Sequence, residues 1–146
     1  MPPASPARRI LVVCLGNHCR SPLAAAVLAH RGGTAVTVRS AALHAGHLAG
    51  QPAHPLMIKV GTALGYDLTG HRGVQLTAAL LQWADTVLAM DRSILEKLQK
   101  QAHPGDLPKL RLYLAQADVP DPWGKTQADF AASAALIDHG ADQHLA

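Results

Sequence analysis

The stretch of sequence that decides the fold is CLGNHCRSP, residues 14–22. A short apolar run at residues 10–13 precedes it and predicts a buried strand, and residues 23–30 predict a helix with Pro22 in its first turn. A strand, a tight loop and a helix N-terminus together form an anion site, because loop N–H groups converge there and the helix dipole adds positive potential. The sequence therefore predicts that this loop binds an anion.

Cys14 opens the loop and Arg20 closes it, with five residues between them. A thiol at a helix N-terminus beside a guanidinium has a lowered pKa, so it is largely thiolate near neutral pH and a strong nucleophile. A guanidinium also offers a fork of donors that matches two oxygens of a phosphate. This pair predicts attack of the Cys14 sulfur on phosphorus.

Other interpretations of the cysteines are weaker. A buried Cys at a strand end is usually an inert small hydrophobe, and the four-residue gap from Cys14 to Cys19, with no second Cys pair, does not match a zinc pattern. Gly16 allows close approach of a ligand, the Asn17 amide can brace a left-handed turn, and Ser21 can donate to the thiolate. These features favour the nucleophile. The residues expected to bind phosphate are Leu15, Gly16, Asn17, His18, Cys19 and Arg20.

Length and composition limit the remaining possibilities. The chain has 146 residues, of which 49% are apolar and 3% aromatic, enough to fill one core of Ala, Leu and Val. The net charge is +3 and the basic residues are scattered, so nucleic acid is not an expected partner. No apolar run approaches membrane-spanning length, so we expect no membrane insertion.

The two cysteines both lie in the loop and provide no disulfide framework. Because a thiol nucleophile needs a reducing compartment, we expect a cytoplasmic protein. The expected organisation is a disordered segment at residues 1–8, a single domain at 9–140 and a frayed C-terminus at 141–146.

The rest of the chain alternates strands with helices. This order predicts an α/β fold: an open four-stranded parallel sheet with helices on both faces, flavodoxin-like or Rossmann-like. Ligands bind beyond the carboxyl ends of such strands. The expected elements after the first helix are a strand at 36–39, a helix from Pro52, a helix at 75–83, a strand at 86–90, a helix capped by Ser93 with Glu96, a strand at 110–114 and a helix capped by Thr126 with Asp129.

The nonapeptide resembles the signature of the low-molecular-weight protein tyrosine phosphatases, and the likeness covers roughly residues 8–138. It implies hydrolysis of phosphotyrosine through a cysteinyl-phosphate intermediate, with no cofactor and no metal. Further stretches in the family's order are Ser40-Ala41-Ala42, Gly50-Gln51-Pro52-Ala53, Gly70-His71-Arg72, Ala89-Met90-Asp91 and Asp121-Pro122-Trp123.

Asp121 is the expected general acid and base. Expulsion of an alkoxide from a phosphate ester needs a proton from a positioned acid. Taken alone, Asp-Pro is an ordinary turn signal, but Asp121-Pro122-Trp123 resembles the family's acid loop. Asp118 is a nearby rival that lacks the following proline.

The walls of the pocket are assigned by resemblance. Leu15 and Trp123 stand where related phosphatases enclose a phenyl ring, and such a slot selects phosphotyrosine over the shorter phosphoserine. Relatives that act on phosphoarginine carry a smaller polar residue after the nucleophile, so Leu15 favours tyrosine. His44 aligns with another wall residue of the family.

Supporting roles are also implied. In the family, the thiol matching Cys19 forms a reversible disulfide with the nucleophile, and packing beneath the loop is an equal alternative. His71 is expected to support the site through a hydrogen bond. His18, Ala25 and His54 depart from the family pattern, which affects efficiency and substrate preference rather than reaction class.

The expected partner is a phosphotyrosine-bearing protein. Short bacterial relatives commonly act on autophosphorylating tyrosine kinases, so the resemblance implies a bacterial tyrosine kinase. The alternatives are arsenate reduction or phosphoarginine hydrolysis on the same scaffold, and a non-enzymatic phosphoprotein-binding module. Arsenate reductases of this type need cysteines outside the loop, and a binding module needs neither nucleophile nor acid.

Overall fold

A four-stranded parallel sheet runs through the centre of the computed structural model, which describes residues 6–145. The strand order is β2-β1-β3-β4, so β1 and β3 are central and β2 and β4 lie at the edges. The strands are β1 Arg8–Cys14, β2 Val36–Ala42, β3 Thr86–Ala89 and β4 Leu110–Leu112.

Five helices cover both faces of the sheet, as the alternation of elements predicted. The helices α1, α2 and α5 pack against one another, while α3 packs on β1 and α4 packs on β3 and β4. Their bounds are α1 Arg20–Gly32, α2 Pro55–Ala63, α3 Ala78–Trp83, α4 Arg92–Gln101 and α5 Gln127–Gly140.

The central strand explains why the run at residues 10–13 is continuously apolar. All four of these residues are fully buried, because a parallel strand between two helical layers has no solvent face. Strand β1 pairs with β2 through Cys14 and with β3 as far as Val13. Strand β2 lies on one side of β1, and β3 lies on the other side. The order of strands therefore changes direction at β1, and the loop after Cys14 lies at this switch point.

Two predicted helix starts are shifted along the chain. Helix α2 begins at Pro55 rather than Pro52, because the His54 side chain accepts from Leu56 N and acts as the N-cap. Helix α3 begins at Ala78 rather than at residue 75, with Thr77 as its N-cap. The residues before Thr77 instead bond to the loop that follows β2.

One predicted cap is wrong and another is confirmed. Helix α4 is capped by Asp91, whose Oδ1 accepts from Ile94 N at 2.8 Å, and not by Ser93. The Asp91 side chain reaches this N–H because it stands one residue before the helix, where extended backbone favours capping. Thr126 and Asp129 form the predicted reciprocal capping box of α5. Strand β4 ends at Leu112, two residues earlier than expected.

The predicted domain limits stay predictions, since residues 1–5 and 146 lie outside the described part of the chain. Within it, β1 already includes Arg8. The segment 141–145 packs on the domain: Ala141 is buried, and His144 Nε2 donates to Tyr113 O at 2.7 Å. No helix among residues 6–145 combines the length and the apolar character required to cross a bilayer.

Candidate active site

The phosphate loop, residues 14–20, turns its backbone carbonyls outward to donors in neighbouring segments. None of the loop and turn hydrogen bonds described for residues 6–145 uses a backbone N–H of residues 15–19 as its donor. A loop with this polarity directs its N–H groups toward its own centre, where they can bind an anion. The carbonyl bonds are Leu43 N to Cys14 O (2.8 Å), His44 N to Leu15 O (2.9 Å), His71 Nε2 to Asn17 O (2.8 Å) and His54 N to His18 O (2.9 Å).

Asn17 holds the tightest part of the loop. Its φ is 54°, and it is the one non-glycine residue with positive φ among the described residues. Its side-chain amide donates to Ser21 Oγ at 2.7 Å and to Ser40 Oγ at 2.9 Å, and its Oδ1 accepts from Val74 N at 2.9 Å. These bonds offset the cost of left-handed backbone, which Asn tolerates better than most residues.

Cys14 lies at the end of β1 and is almost fully buried. Its Sγ is 3.0 Å from Ser21 Oγ. The bond from Asn17 uses a lone pair of Ser21 Oγ, so the hydroxyl hydrogen stays free for the sulfur. Ser21 is therefore oriented to donate to a Cys14 thiolate.

Arg20, at the start of α1, is held from behind the loop. Its Nη1 donates to Asp91 Oδ2 and to Val119 O, both at 2.8 Å, and the side chain is 2% exposed. Both bonds use Nη1, so the edge formed by Nε and Nη2 is the one that can take two oxygens of an anion.

Asp121 stands opposite this edge, and Asp118 does not. The Asp121 Oδ2 lies 3.7 Å from Arg20 Nη2, while its Oδ1 accepts from Trp123 N at 3.1 Å. The Asp118 Oδ1 accepts from Arg92 N at 2.9 Å, at the start of α4. The Asp118 carboxylate is thus bonded to the start of α4.

The phosphate loop and Asp121 share a cavity of about 320 Å³. Two apolar side chains at its mouth are strongly exposed, Leu15 at 46% and Trp123 at 63%. Of the residues predicted from sequence, four do not line this cavity: Cys14, Asn17, Ser21 and His71. The predicted residues that line the cavity are Leu15, Gly16, His18, Cys19, Arg20, His44, Asp121 and Trp123.

Two titratable side chains at the loop, Cys19 and His71, are held neutral. Burial, with the neighbouring Cys14 and Asp121, raises the pKa of Cys19 to about 12, so this side chain is a thiol at neutral pH. Both cysteines are free, and a disulfide between them stays a prediction. Burial lowers the pKa of His71, whose neutral ring donates to the loop.

His18, in the loop, and His54, before α2, place their rings in contact. The His18 and His54 rings meet edge to face at 5.3 Å, and His54 lies 4.6 Å from Phe130. His18 Nδ1 donates to Pro52 O at 3.1 Å, and burial followed by the proximity of His54 lowers the pKa of His18.

Sequence reasoning missed the wall of the cavity at residues 45–48 and the role of Asp91. A signal for Asp91 was present, because an Asp just after a buried strand and before a helix is typical of an N-cap at the functional edge of such a sheet. The wall carried no comparable signal, since Ala45 and Gly46 have no reactive group.

The sequence model of the low molecular weight phosphotyrosine protein phosphatase family matches residues 9–146 of this chain. The chain belongs to this family. It is accordingly a protein-tyrosine phosphatase, a hydrolase of phosphoric monoesters, and the predicted fold class and reaction class are confirmed.

Individual relatives are similar to this chain over nearly its whole length. A probable low molecular weight protein-tyrosine-phosphatase, EpsP of Ralstonia nicotianae, is 38% identical over 137 residues, which is 92% of either chain. The structure of Vibrio vulnificus Wzb in complex with benzylphosphonate aligns with a TM-score of 0.90 at 34% identity, over 95% of this chain and 97% of that one. The YwlE arginine phosphatase of Geobacillus stearothermophilus aligns at 0.87 and 29%, over 94% and 90%.

Proposed function

We propose that this phosphatase hydrolyses phosphotyrosine in proteins with Cys14 as nucleophile, Arg20 and the loop amides as the phosphate site, and Asp121 as general acid and base. The observation that carries the proposal is the placement of these groups: Cys14 ends β1, Arg20 begins α1 six residues later, and the Asp121 carboxylate lies 3.7 Å from the guanidinium.

In the first step, the Cys14 thiolate attacks phosphorus. The S–P bond forms as the P–O bond to the phenol breaks, and protonated Asp121 gives its proton to the departing oxygen. The loop amides and the Nε–Nη2 edge of Arg20 bind the equatorial oxygens, on which charge is concentrated in the transition state.

In the second step, water attacks the cysteinyl phosphate. Asp121, now a carboxylate, takes a proton from the water as the S–P bond breaks. Inorganic phosphate leaves, and the Cys14 thiolate and protonated Asp121 are restored. Ser21, which donates toward the sulfur, stabilises the thiolate as leaving group.

Tyrosine is the favoured substrate residue because the mouth of the cavity is apolar. Leu15 and Trp123 offer exposed apolar faces to a phenyl ring, whereas a phosphoserine is too short to fill the space between them and the thiolate. The likeness to an arginine phosphatase supports phosphoarginine as a second candidate. The exposed Leu15 favours the phenyl ring over a charged guanidinium.

The proposed partner is a phosphotyrosine-bearing protein, specifically a bacterial tyrosine kinase, which rests on the family resemblance. Two free thiols in and beside the site suit a reducing compartment, so we place the reaction in the cytoplasm.

The test compares wild type, Cys14→Ser and Asp121→Asn on an activated aryl phosphate and on phosphotyrosine, phosphoserine and phosphoarginine peptides. We expect Cys14→Ser to lower kcat by about four orders of magnitude or more. Asp121→Asn should lower kcat by about 100-fold or more on the peptide and by less on the activated ester, because a good leaving group needs no proton. Asp118→Asn is the matched control and should leave this leaving-group dependence unchanged.

Each result has a distinct meaning. Selective phosphotyrosine turnover with this pattern of variants supports the proposal. Faster phosphoarginine turnover would favour the second candidate. Phosphate binding without turnover by wild type, or full activity in Cys14→Ser, would overturn the mechanism.

A further inference from the structure

Gln75 holds one wall of the cavity without lining it. Its Oε1 accepts from Ala45 N at 2.8 Å, and its Nε2 donates to Leu43 O at 3.0 Å. These two peptide groups flank His44, a residue of the cavity lining. One side-chain amide therefore fixes the backbone on both sides of a pocket residue.

The segment fixed in this way, residues 43–48, is here called the pocket wall. It contacts the phosphate loop at three points. Leu43 N donates to Cys14 O at 2.8 Å and His44 N donates to Leu15 O at 2.9 Å. Leu48 packs on Gly16 so closely that an added Cβ would lie 2.9 Å from Leu48 Cδ1. Residues 44–48 of the pocket wall and Leu15 of the phosphate loop therefore line the same cavity.

The residues around Gln75 also bind the phosphate loop. Val74 N donates to Asn17 Oδ1 at 2.9 Å, and Val74 O accepts from Ala42 N at 2.7 Å. Gly73 pairs with Ala49, just after the pocket wall. The segment 73–75 is therefore bonded both to the phosphate loop and to the pocket wall, and it links the two.

We infer that Gln75 is a positioning residue for substrate specificity: it sets the distance between the pocket wall and Leu15, and with it the width of the slot for an aryl group. The phosphate itself is bound by groups that Gln75 does not touch. The inference rests on the proposed function, since it assumes that a phenyl ring occupies this slot. The inference predicts that a change at Gln75 alters the affinity of the site for the ring and leaves its affinity for the phosphoryl group unchanged.

Two non-hydrolysable competitive inhibitors measure these affinities separately. Methylphosphonate carries only the tetrahedral anion, whereas benzylphosphonate adds a ring for the slot. The first variant is Gln75→Met, which keeps the shape and removes every side-chain hydrogen bond of Gln75, including two longer ones from Nε2 to Ala42 O and Leu76 O at 3.3 Å. The second is Gln75→Glu, which keeps the acceptor for Ala45 N and loses the Nε2 donor. Gln99→Met, on the exposed surface of α4, is the matched control.

We expect Gln75→Met to raise the inhibition constant of benzylphosphonate by about fivefold, the loss of roughly one net hydrogen bond, with that of methylphosphonate unchanged within about twofold. The KM for a phosphotyrosine peptide should rise by a similar factor while kcat holds. Gln75→Glu directs a carboxylate oxygen at the carbonyls that Nε2 bonded, so it should give an equal or larger change in the same direction, and Gln99→Met none.

An unchanged ratio of the two inhibition constants in both Gln75 variants would overturn the inference, as would an equal loss for both inhibitors, which would show an effect on the whole fold. Failure of wild type to hydrolyse an aryl phosphate would instead overturn the proposed function, so the two failures are distinguishable. If Gln75→Met does not fold, Gln75→Glu supplies the ratio.

Discussion

The two loops that meet at the cavity are built in opposite ways. Four residues of the phosphate loop are buried, Cys14, Asn17, Cys19 and Arg20, while Leu15 faces the cavity. The buried side chains of Asn17 and Arg20, at most 2% exposed, are bonded in several directions. The acid loop, residues 118–125, is exposed over most of its length, and Trp123 reaches 63%. One loop is fixed by the interior and the other is fixed only at its start.

The anchoring of the acid loop shows where this difference begins. Val119 is buried, with its N–H bonded to Met90 O and its carbonyl to Arg20, and Pro120 O accepts from Ser133 Oγ at 2.7 Å. Beyond Pro120, Asp121 is held by a bond from Trp123 within the same loop.

The contrast follows from what each loop must do. Donors aimed at a transition state act best when they are arranged beforehand, because reorganisation then costs nothing during the reaction. A proton donor over a protein substrate must also let that substrate enter and leave, which a loop fixed at one end permits. The predictions below test the contrast, from the largest expected effect to the smallest.

Loss of the Asn17 side chain should cause the largest effect. Asn17→Ala removes three side-chain hydrogen bonds at a residue with φ of 54°. We expect the free energy of unfolding to fall by about 3 kcal/mol and kcat/KM by about 100-fold. Denaturant titration and steady-state kinetics measure both.

Gly124→Ala is the matched change in the acid loop. Gly124 also has a left-handed φ, 77°, but an added Cβ there meets no atom within 4 Å. It should cost only the backbone strain, about 1 kcal/mol, with kcat/KM nearly unchanged. Equal losses of stability and of kcat/KM in Asn17→Ala and Gly124→Ala would contradict the proposed difference between the two loops.

Loss of the Asp91 charge, which anchors Arg20, should have an intermediate effect on phosphate binding. Asp91→Asn keeps a good N-cap for α4 but removes the negative charge that faces the guanidinium at 2.8 Å. We expect about a tenfold rise in the inhibition constant of phosphate and a similar fall in kcat/KM. Stability should change little because the cap is retained. A full loss of stability with unchanged phosphate affinity would show that Asp91 serves the helix alone.

The pH dependence of stability should show the smallest effect. Burial lowers the pKa of His71 below its unfolded value of 6.5, so the unfolded state binds more protons as the pH falls through 6.5. The free energy of unfolding should therefore be lower at pH 5.5 than at pH 7.5. His71→Gln should flatten this slope relative to wild type, and His139→Gln, on the exposed end of α5, should not. An unchanged slope in His71→Gln would rule out the contribution of His71.

The sequence predicted the buried loop well and the exposed loop less completely. The run at residues 10–13 and the CLGNHCRSP loop carry their own strong local signals, because a parallel strand, a left-handed Asn and a helix N-terminus each restrict the residues allowed. The pairing of Asp121 with Arg20 depends on strand order, which the topology decides and local sequence does not.

The helix starts show the same difference between local signals and long-range contacts. The capping box of Thr126 and Asp129 is contained in four residues and was predictable. The start of α3 at Ala78 depends on residues 73–75 bonding to a segment thirty residues earlier, and no local pattern reveals such a long-range pairing.

The arrangement of strands also governs the order in which the molecule opens. Strand β1 is paired over seven residues with β2 and over four with β3, whereas β4 is a three-residue edge strand paired on one side. Amides of β1 should therefore exchange with solvent only on global unfolding, and those of β4 through local fluctuations. Since the proposed nucleophile Cys14 ends β1 and the proposed acid Asp121 follows β4, warming should displace Asp121 at temperatures at which the loop after β1 is still folded.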